Sequence, residues 1–326
     1  MVANVQTMAY HGDVPWHRLG TEVPRGISSE GMIKAAGLDW KVDLVPARGA
    51  RVINKKDEYS RYEVIRVPRH GKNESEVLLG IVSRRYTPLQ NTEAFKFFDP
   101  IVGSNKAHYE TAGALGEGER IWVMAAMPDA MQIVPGDECL KYLLLSNTHS
   151  GEGSVIVKFT SVRVVCQNTL MLAMKDGQTA YRVRHSQQMQ VKLEDLSDFL
   201  ALTQGVFMES EQTFKRMAKI PMIGDRLDSY LEAVFPLTEA QKERKTKPAR
   251  WDFLKEIFET RPDLRMPGVR GTLWGAYNAI TMFEDYKRPP GEEQPEQRLN
   301  RAWFGAGAEI KVRALVKATE LAAAWQ

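Results

Sequence analysis

The sequence predicts an α+β fold, with an antiparallel hairpin-rich sheet and packed helices in the first half and a helical second half. Three observations carry this. Short runs before Val165, such as Trp40–Val45 and Tyr62–Val67, alternate apolar and polar residues with period two. Polar, Gly-rich turns separate several of those runs. Further along, apolar residues recur at spacings of three and four, as in Leu193, Leu196 and Leu200.

The elements follow in order. Tyr10–Gly26 is rich in Gly and Pro and reads as an irregular arm, so 1–27 is set apart. A short helix is expected over Ser28–Gly37, with Ser28 or Ser29 as N-cap. Tyr62–Val67, the polar turn Arg69–Glu74 and Val77–Val82 form a hairpin. Phe95, Phe98 and Ile101 lie on one face of a helix over Thr92–Val102. A second hairpin joins Tyr109–Leu115 to Ile121–Met127, and a third joins Leu140–Asn147 to Val155–Val165. Cys166–Leu170 then leads into a helix starting near Met171, with Asn168 or Thr169 as cap.

A long amphipathic helix is expected over Val191–Met217, with a near-heptad seam through Leu193, Phe207, Phe214 and Met217. That seam fits pairing with a second subunit or packing on its own sheet equally well. Further helices are expected over Asp225–Phe235, Arg250–Thr260, Gly271–Tyr286 and Ala306–Trp325. The strands stop near Asp176–Ser186, which sets a sheet domain over 28–180 and a helical region over 181–326.

Composition narrows the class. The chain has 326 residues, 43% of them hydrophobic and 26% charged, which supports a sizeable core. Two cysteines, Cys139 and Cys166, make no disulfide framework. No signal peptide and no membrane span are expected, so the protein is read as cytoplasmic. The net charge of +3 neither requires nor opposes a nucleic-acid partner, so clustering decides.

The motifs of several enzyme classes are absent. No two of the six histidines stand at i, i+4, and no His-Glu-x-x-His or Cys-x-x-Cys occurs. The phosphate loop, the dinucleotide fingerprint and the nucleophile elbow are missing as well. These absences point away from a motif-built enzyme and name no catalytic residue, metal ligand or cofactor. A site assembled from distant residues stays open.

Basic residues interleaved with aromatics form the positive signal. They occur at Arg84, Arg85 and Tyr86, at Lys158, Phe159 and Arg163, at Tyr181, Arg182, Arg184 and His185, and in the run Lys242–Arg250. Single strands of nucleic acid are held by a basic groove with aromatic platforms for the bases. Any one cluster taken alone is more often a solvated strand face. Together they nominate Arg84, Arg85, Lys158, Arg163, Arg182 and Arg184 for phosphates and Tyr86 and Phe159 for bases. Trp16 beside Pro15 can stack on a base or pin a loop, and pinning is the commoner role.

Four motifs in order resemble a family of phage- and plasmid-like proteins of unknown function. They are Pro15-Trp16-His17-x-Leu19-Gly20, Leu89-Gln90-Asn91-x-x-Ala94-Phe95, Arg163-Val-Val-Cys166-Gln-Asn-Thr-Leu170 and Trp274-Gly275-x-x-Asn278-Ala279. The closing Trp303-Phe304-Gly305 also fits. The order of hairpins then helices is in turn similar to the phage single-strand annealing proteins of the RecT, Redβ and Erf group. That similarity implies a single-stranded DNA partner, a ring or filament of identical subunits and no cofactor. It also implies work in recombination or replication of a mobile element. A factor that antagonises host restriction by binding a protein is the alternative.

Overall fold

The computed structural model describes residues 5–12, 19–52, 59–69, 74–102, 107–163, 168–171, 180–189, 203–244, 246–286 and 298–325. The fold is α+β, as the patterning predicts. It divides into two compact units. Unit 1 comprises Met1–Pro128, Tyr142–Lys158 and Ala180–Leu202, and unit 2 comprises Asp129–Lys141, Phe159–Thr179 and Thr203–Gln326.

Unit 1 is built on strands. β1 (Val5–Tyr10) pairs in parallel with β2 (Thr21–Glu22) and antiparallel with β6 (His108–Leu115). β6 pairs with β7 (Arg120–Ala126), and β7 with the Tyr142–Thr148 part of β9 (Asp137–Thr148). The start of β10 (Val155–Arg163) carries the short β12 (Tyr181–Val183). A separate sheet runs β3 (Lys41–Pro46), β4 (Arg61–Val67), β5 (Val77–Ser83), all antiparallel. The hairpins are those the turns predict. Val5–Tyr10 is a strand in a segment the sequence leaves irregular, because its pattern is too short to separate from a loop.

Packing explains the order of the strands. β7 is buried along Ile121–Ala126, as expected of a strand covered on both faces. Trp122 lies across β6 at Gly113, where a Cβ would stand 2.4 Å from the indole and 2.5 Å from Thr7 O. Tyr109 is buried and donates to Phe95 O, and its ring lies 5.6 Å from that of Phe95. Helix α1 (Ser29–Ala35) starts at the expected cap, Ser28, whose Oγ accepts from Gly31 N. The helix predicted over Thr92–Val102 is two pieces, α2 (Asn91–Lys96) and α3 (Asp99–Val102). Pro100 has no N–H, and its ring would clash with the Lys96 carbonyl in one continuous helix.

Unit 2 begins with β8 (Met131–Val134), which pairs back on the Asp137–Cys139 part of β9. The end of β10 pairs with β11 (Asn168–Met171), so Asn168 and Thr169 are strand residues and not the helix cap expected. Arg163 opposite Asn168 starts this ladder, and the interstrand hydrogen bonds replace those a helix would make. Helices follow: α4 (Thr203–Met217), α5 (Arg226–Val234), α6 (Glu239–Glu243), α7 (Ala249–Thr260), α8 (Leu273–Tyr286), α9 (Arg298–Phe304) and α10 (Ala306–Ala324). α6 and α9 are not anticipated from the sequence, being short and weakly periodic. α8 is buried from Leu273 to Asp285 and forms the centre of the unit.

The seam resolves where it is described. Phe207 packs edge-on to Phe159, Phe214 lies 4.7 Å from Trp274, and Met217 is fully buried. These positions therefore serve unit 2's own core and not a subunit interface. Residues 191–202 of the expected helix lie outside the described residues, as do Trp16, His17, Cys166 and Gln167. No described helix is long and apolar enough to cross a membrane.

Candidate nucleic-acid interface

Three of the nominated residues are interior. Lys158 is 6% exposed, Phe159 2% and Arg163 0%. Phe159 takes Phe207 against its ring, 5.5 Å between centroids, which leaves no room for a base. Arg163 Nε donates to Asp137 Oδ1 at 2.6 Å, and its Nη atoms donate to Asp263 Oδ2 and Asp263 O. Asp137 Oδ2 accepts from Trp274 Nε1 at 2.7 Å. Two of the motifs thus meet on one carboxylate, and Arg163 is a structural ion pair and not a phosphate contact. Alternation correctly puts Lys158 and Phe159 on opposite faces of β10. It misses that both faces are covered.

The basic run in unit 2 is also engaged. Lys242 pairs with Glu239, Lys247 with Asp228, and Arg250 lies 5.1 Å from the Phe235 ring.

A second motif holds unit 1 together. Residues Tyr86–Asn91 are stitched to their surroundings by side chains. Gln90 accepts from Val42 N at 3.0 Å and donates to Val42 O at 2.8 Å, a side chain imitating a neighbouring strand. Asn91 Nδ2 donates to Leu38 O and Trp40 O. Asn147 Nδ2 donates to Leu89 O. His149 Nε2 lies 3.1 Å from Asn91 Oδ1 and 3.3 Å from Asn147 Nδ2. Complete burial pushes the His149 pKa down to about 3, with nearby His185 adding to the effect.

The same segment gathers the remaining basic residues. Tyr86 stacks on His185 with ring centroids 4.6 Å apart and 27° between planes. Tyr86 Oη donates to Thr148 O, and burial raises its pKa. His185 Nδ1 donates to Thr87 O at 3.2 Å, since a carbonyl can only accept. Burial lowers the His185 pKa, so the imidazole favours the neutral form. Arg84 and Arg85 occupy the exposed turn before Tyr86, and Arg182 and Arg184 the exposed positions before His185. Two clusters nearly a hundred residues apart in sequence are joined through one ring pair, with |i−j| of 98 for the Thr87–His185 bond.

Arg120 belongs with this set and is missed by sequence reasoning. It starts β7 opposite Thr148 and donates to Ser146 Oγ. Burial lowers its pKa, and the positive charge of Arg182 lowers it further. Nothing near Arg120 in the sequence signals this. Only the pairing register does.

No group of three or more His, Cys, Asp or Glu among the described residues is arranged to hold a metal ion. Residues 78–304 match a family described as a domain of unknown function, DUF932, and the chain belongs to that family. No curated protein and no solved structure matches the chain.

Proposed function

We propose that this protein binds single-stranded DNA through the arginines around the Tyr86–His185 pair, and that it acts as an annealing protein of a phage or other mobile element. The observation that supports this reading is the Tyr86–His185 ring contact, which joins the segment carrying the exposed Arg84 and Arg85 to the one carrying the exposed Arg182 and Arg184, with Arg120 within electrostatic reach of Arg182. Guanidiniums are suited to phosphodiesters because their planar donor fork matches phosphate oxygens. The absence of a phosphate loop from the sequence agrees with strand binding that needs no nucleotide. Annealing further calls for several subunits on one strand, so binding and assembly are expected together.

A labelled oligonucleotide titrated with the full chain tests the reading, with sedimentation of the same mixtures. Tight binding is expected at about 50 mM salt, weakening as salt rises because each phosphate contact releases counterions. The sedimenting species should grow only when the oligonucleotide is present. Absence of binding at that low salt would falsify the proposal.

A further inference from the structure

Large apolar side chains left in solvent gather on one part of unit 1. Val45, Val52, Leu78 and Ile81 are all exposed, and they belong to the three-stranded sheet β3–β4–β5 or to the hairpin that joins its first two strands. Leu78 is 52% exposed and Ile81 55%. Single exposed apolar residues are ordinary, whereas a group of them marks a contact surface. The other face of the sheet is covered. Val42, Val64, Leu79 and Val82 are buried, and a Cβ at Gly80 would stand 2.2 Å from Ser150 O.

A bulge brings the two exposed residues of β5 together. Val64 pairs with Gly80 and Ile65 with Leu78, so Leu79 is the extra residue of the ladder. Leu79 and Gly80 both turn inward, and Leu78 and Ile81 become neighbours on the outer side. Alternation sets Arg61, Glu63 and Ile65 of β4 and Val45 of β3 on that side too. Its two ends carry opposite charge. Arg61, opposite Ser83, is exposed at one end, and Glu76, two positions before Leu78, is exposed at the other. A face with a cation at one end, an anion at the other and an apolar middle is complementary to itself after a half-turn.

We propose that the outer face of the β3–β4–β5 sheet docks on the same face of a second copy of this chain, about a twofold axis that sets Arg61 of each copy beside Glu76 of the other. Leu78 and Ile81 of the two copies then cover one another. The bulge blunts pairing along the edge of β5, so the contact is face to face. Three strands of about 20 Å at about 4.8 Å spacing give a face on the order of 300 Å², at the small end for specific contacts, so the pair is weak and reversible. The chain is a single copy at the dilution of the oligonucleotide titrations, and the pair forms at high concentration. This contact goes beyond the DNA-binding reading and does not depend on it.

Sedimentation of the full chain without nucleic acid, over a concentration series up to the highest attainable, tests the contact. Wild type should pass from one copy to two. Ile81→Lys puts a cation into the apolar middle of each copy and should weaken the pair by roughly tenfold or more, as like charges set face to face do. Arg61→Glu sets acid against acid and should weaken it in the same way. The double variant Arg61→Glu, Glu76→Arg restores an opposite pair on both sides of the axis and should recover wild-type association. A face that needs only to be apolar would not show that rescue. The inference is overturned if wild type stays a single copy at every concentration, if Ile81→Lys associates like wild type, or if the double variant associates no better than Arg61→Glu. All three positions are exposed, so the variants are expected to keep the fold, and thermal melts check it. If Ile81→Lys melts early, the charge-reversal pair decides alone.

Discussion

Tyr86 and His185 lie ring on ring, 4.6 Å apart, and this contact unites two basic segments that the sequence shows only as separate clusters. Tyr86 ends the turn that carries Arg84 and Arg85. His185 ends the strand exit that carries Arg182 and Arg184. Replacing Tyr86 with Leu removes the stacked pair and the bond to Thr148 O. The two segments should then separate, and oligonucleotide affinity should fall by about tenfold, since such a ring pair contributes roughly 0.5–1.5 kcal/mol beyond its burial. Tyr86→Phe keeps the stack and should retain most of the affinity. Equal binding by Tyr86→Leu and wild type would refute the role given to the stack.

Asp137 is the keystone of unit 2. It accepts from both Arg163 and Trp274, and all three side chains are buried. Asp137→Ala takes from an interior guanidinium the carboxylate that its Nε holds, and such a loss destabilises by about 3–5 kcal/mol. A fall of that size in the urea unfolding free energy is expected. A change under about 1 kcal/mol would show that the pair is dispensable, as exposed pairs are.

Acid should weaken unit 1 through His149. Its pKa is held near 3 in the folded chain against an ordinary value of 6.5, so folding favours the neutral ring. The contribution is fully present above pH 6.5 and is lost as pH falls from there toward 3, at up to about 1.4 kcal/mol per pH unit. His149→Gln removes the titrating group. Its stability at pH 5 relative to pH 7 should therefore drop less than that of wild type, and identical pH profiles would rule the mechanism out.

Gly113 should not tolerate a side chain. Gly113→Ala places a methyl against Thr7 O and the Trp122 ring at about 2.5 Å or less, so β1 and β7 must part. A loss of about 1–3 kcal/mol is expected from such overpacking. A melting temperature equal to that of wild type would mean that the strands adjust freely.

The sequence discloses what is local and withholds what is distant. The hairpins around Gly116–Gly118 and Ser150–Gly153 are legible because turn residues and flanking alternation sit within a few positions of each other. The break at Lys96 was available in Pro100 but is masked by the regular spacing of Phe95, Phe98 and Ile101. Arg163 reads as a surface cation because its acceptors, Asp137 and Asp263, stand 26 and 100 residues away. The candidate site divides in the same way. Arg84, Arg85, Arg182 and Arg184 are visible as clusters, whereas Arg120 joins them only through the register of β7 on β9. The Leu193–Met217 periodicity gives the face of a helix but not its partner, which for Phe207 and Phe214 lies in the same unit.

The most direct test of the central claim is the salt dependence of oligonucleotide binding by wild type and by the double variant Arg182→Gln, Arg184→Gln. Both arginines are exposed, so the variant is expected to fold normally. If they hold phosphates, the plot of log affinity against log salt loses about 0.7 in slope for each. Affinity at about 50 mM salt falls with it. Wild-type slope and affinity in the double variant would contradict the account, because the arginines beside His185 would then carry none of the binding.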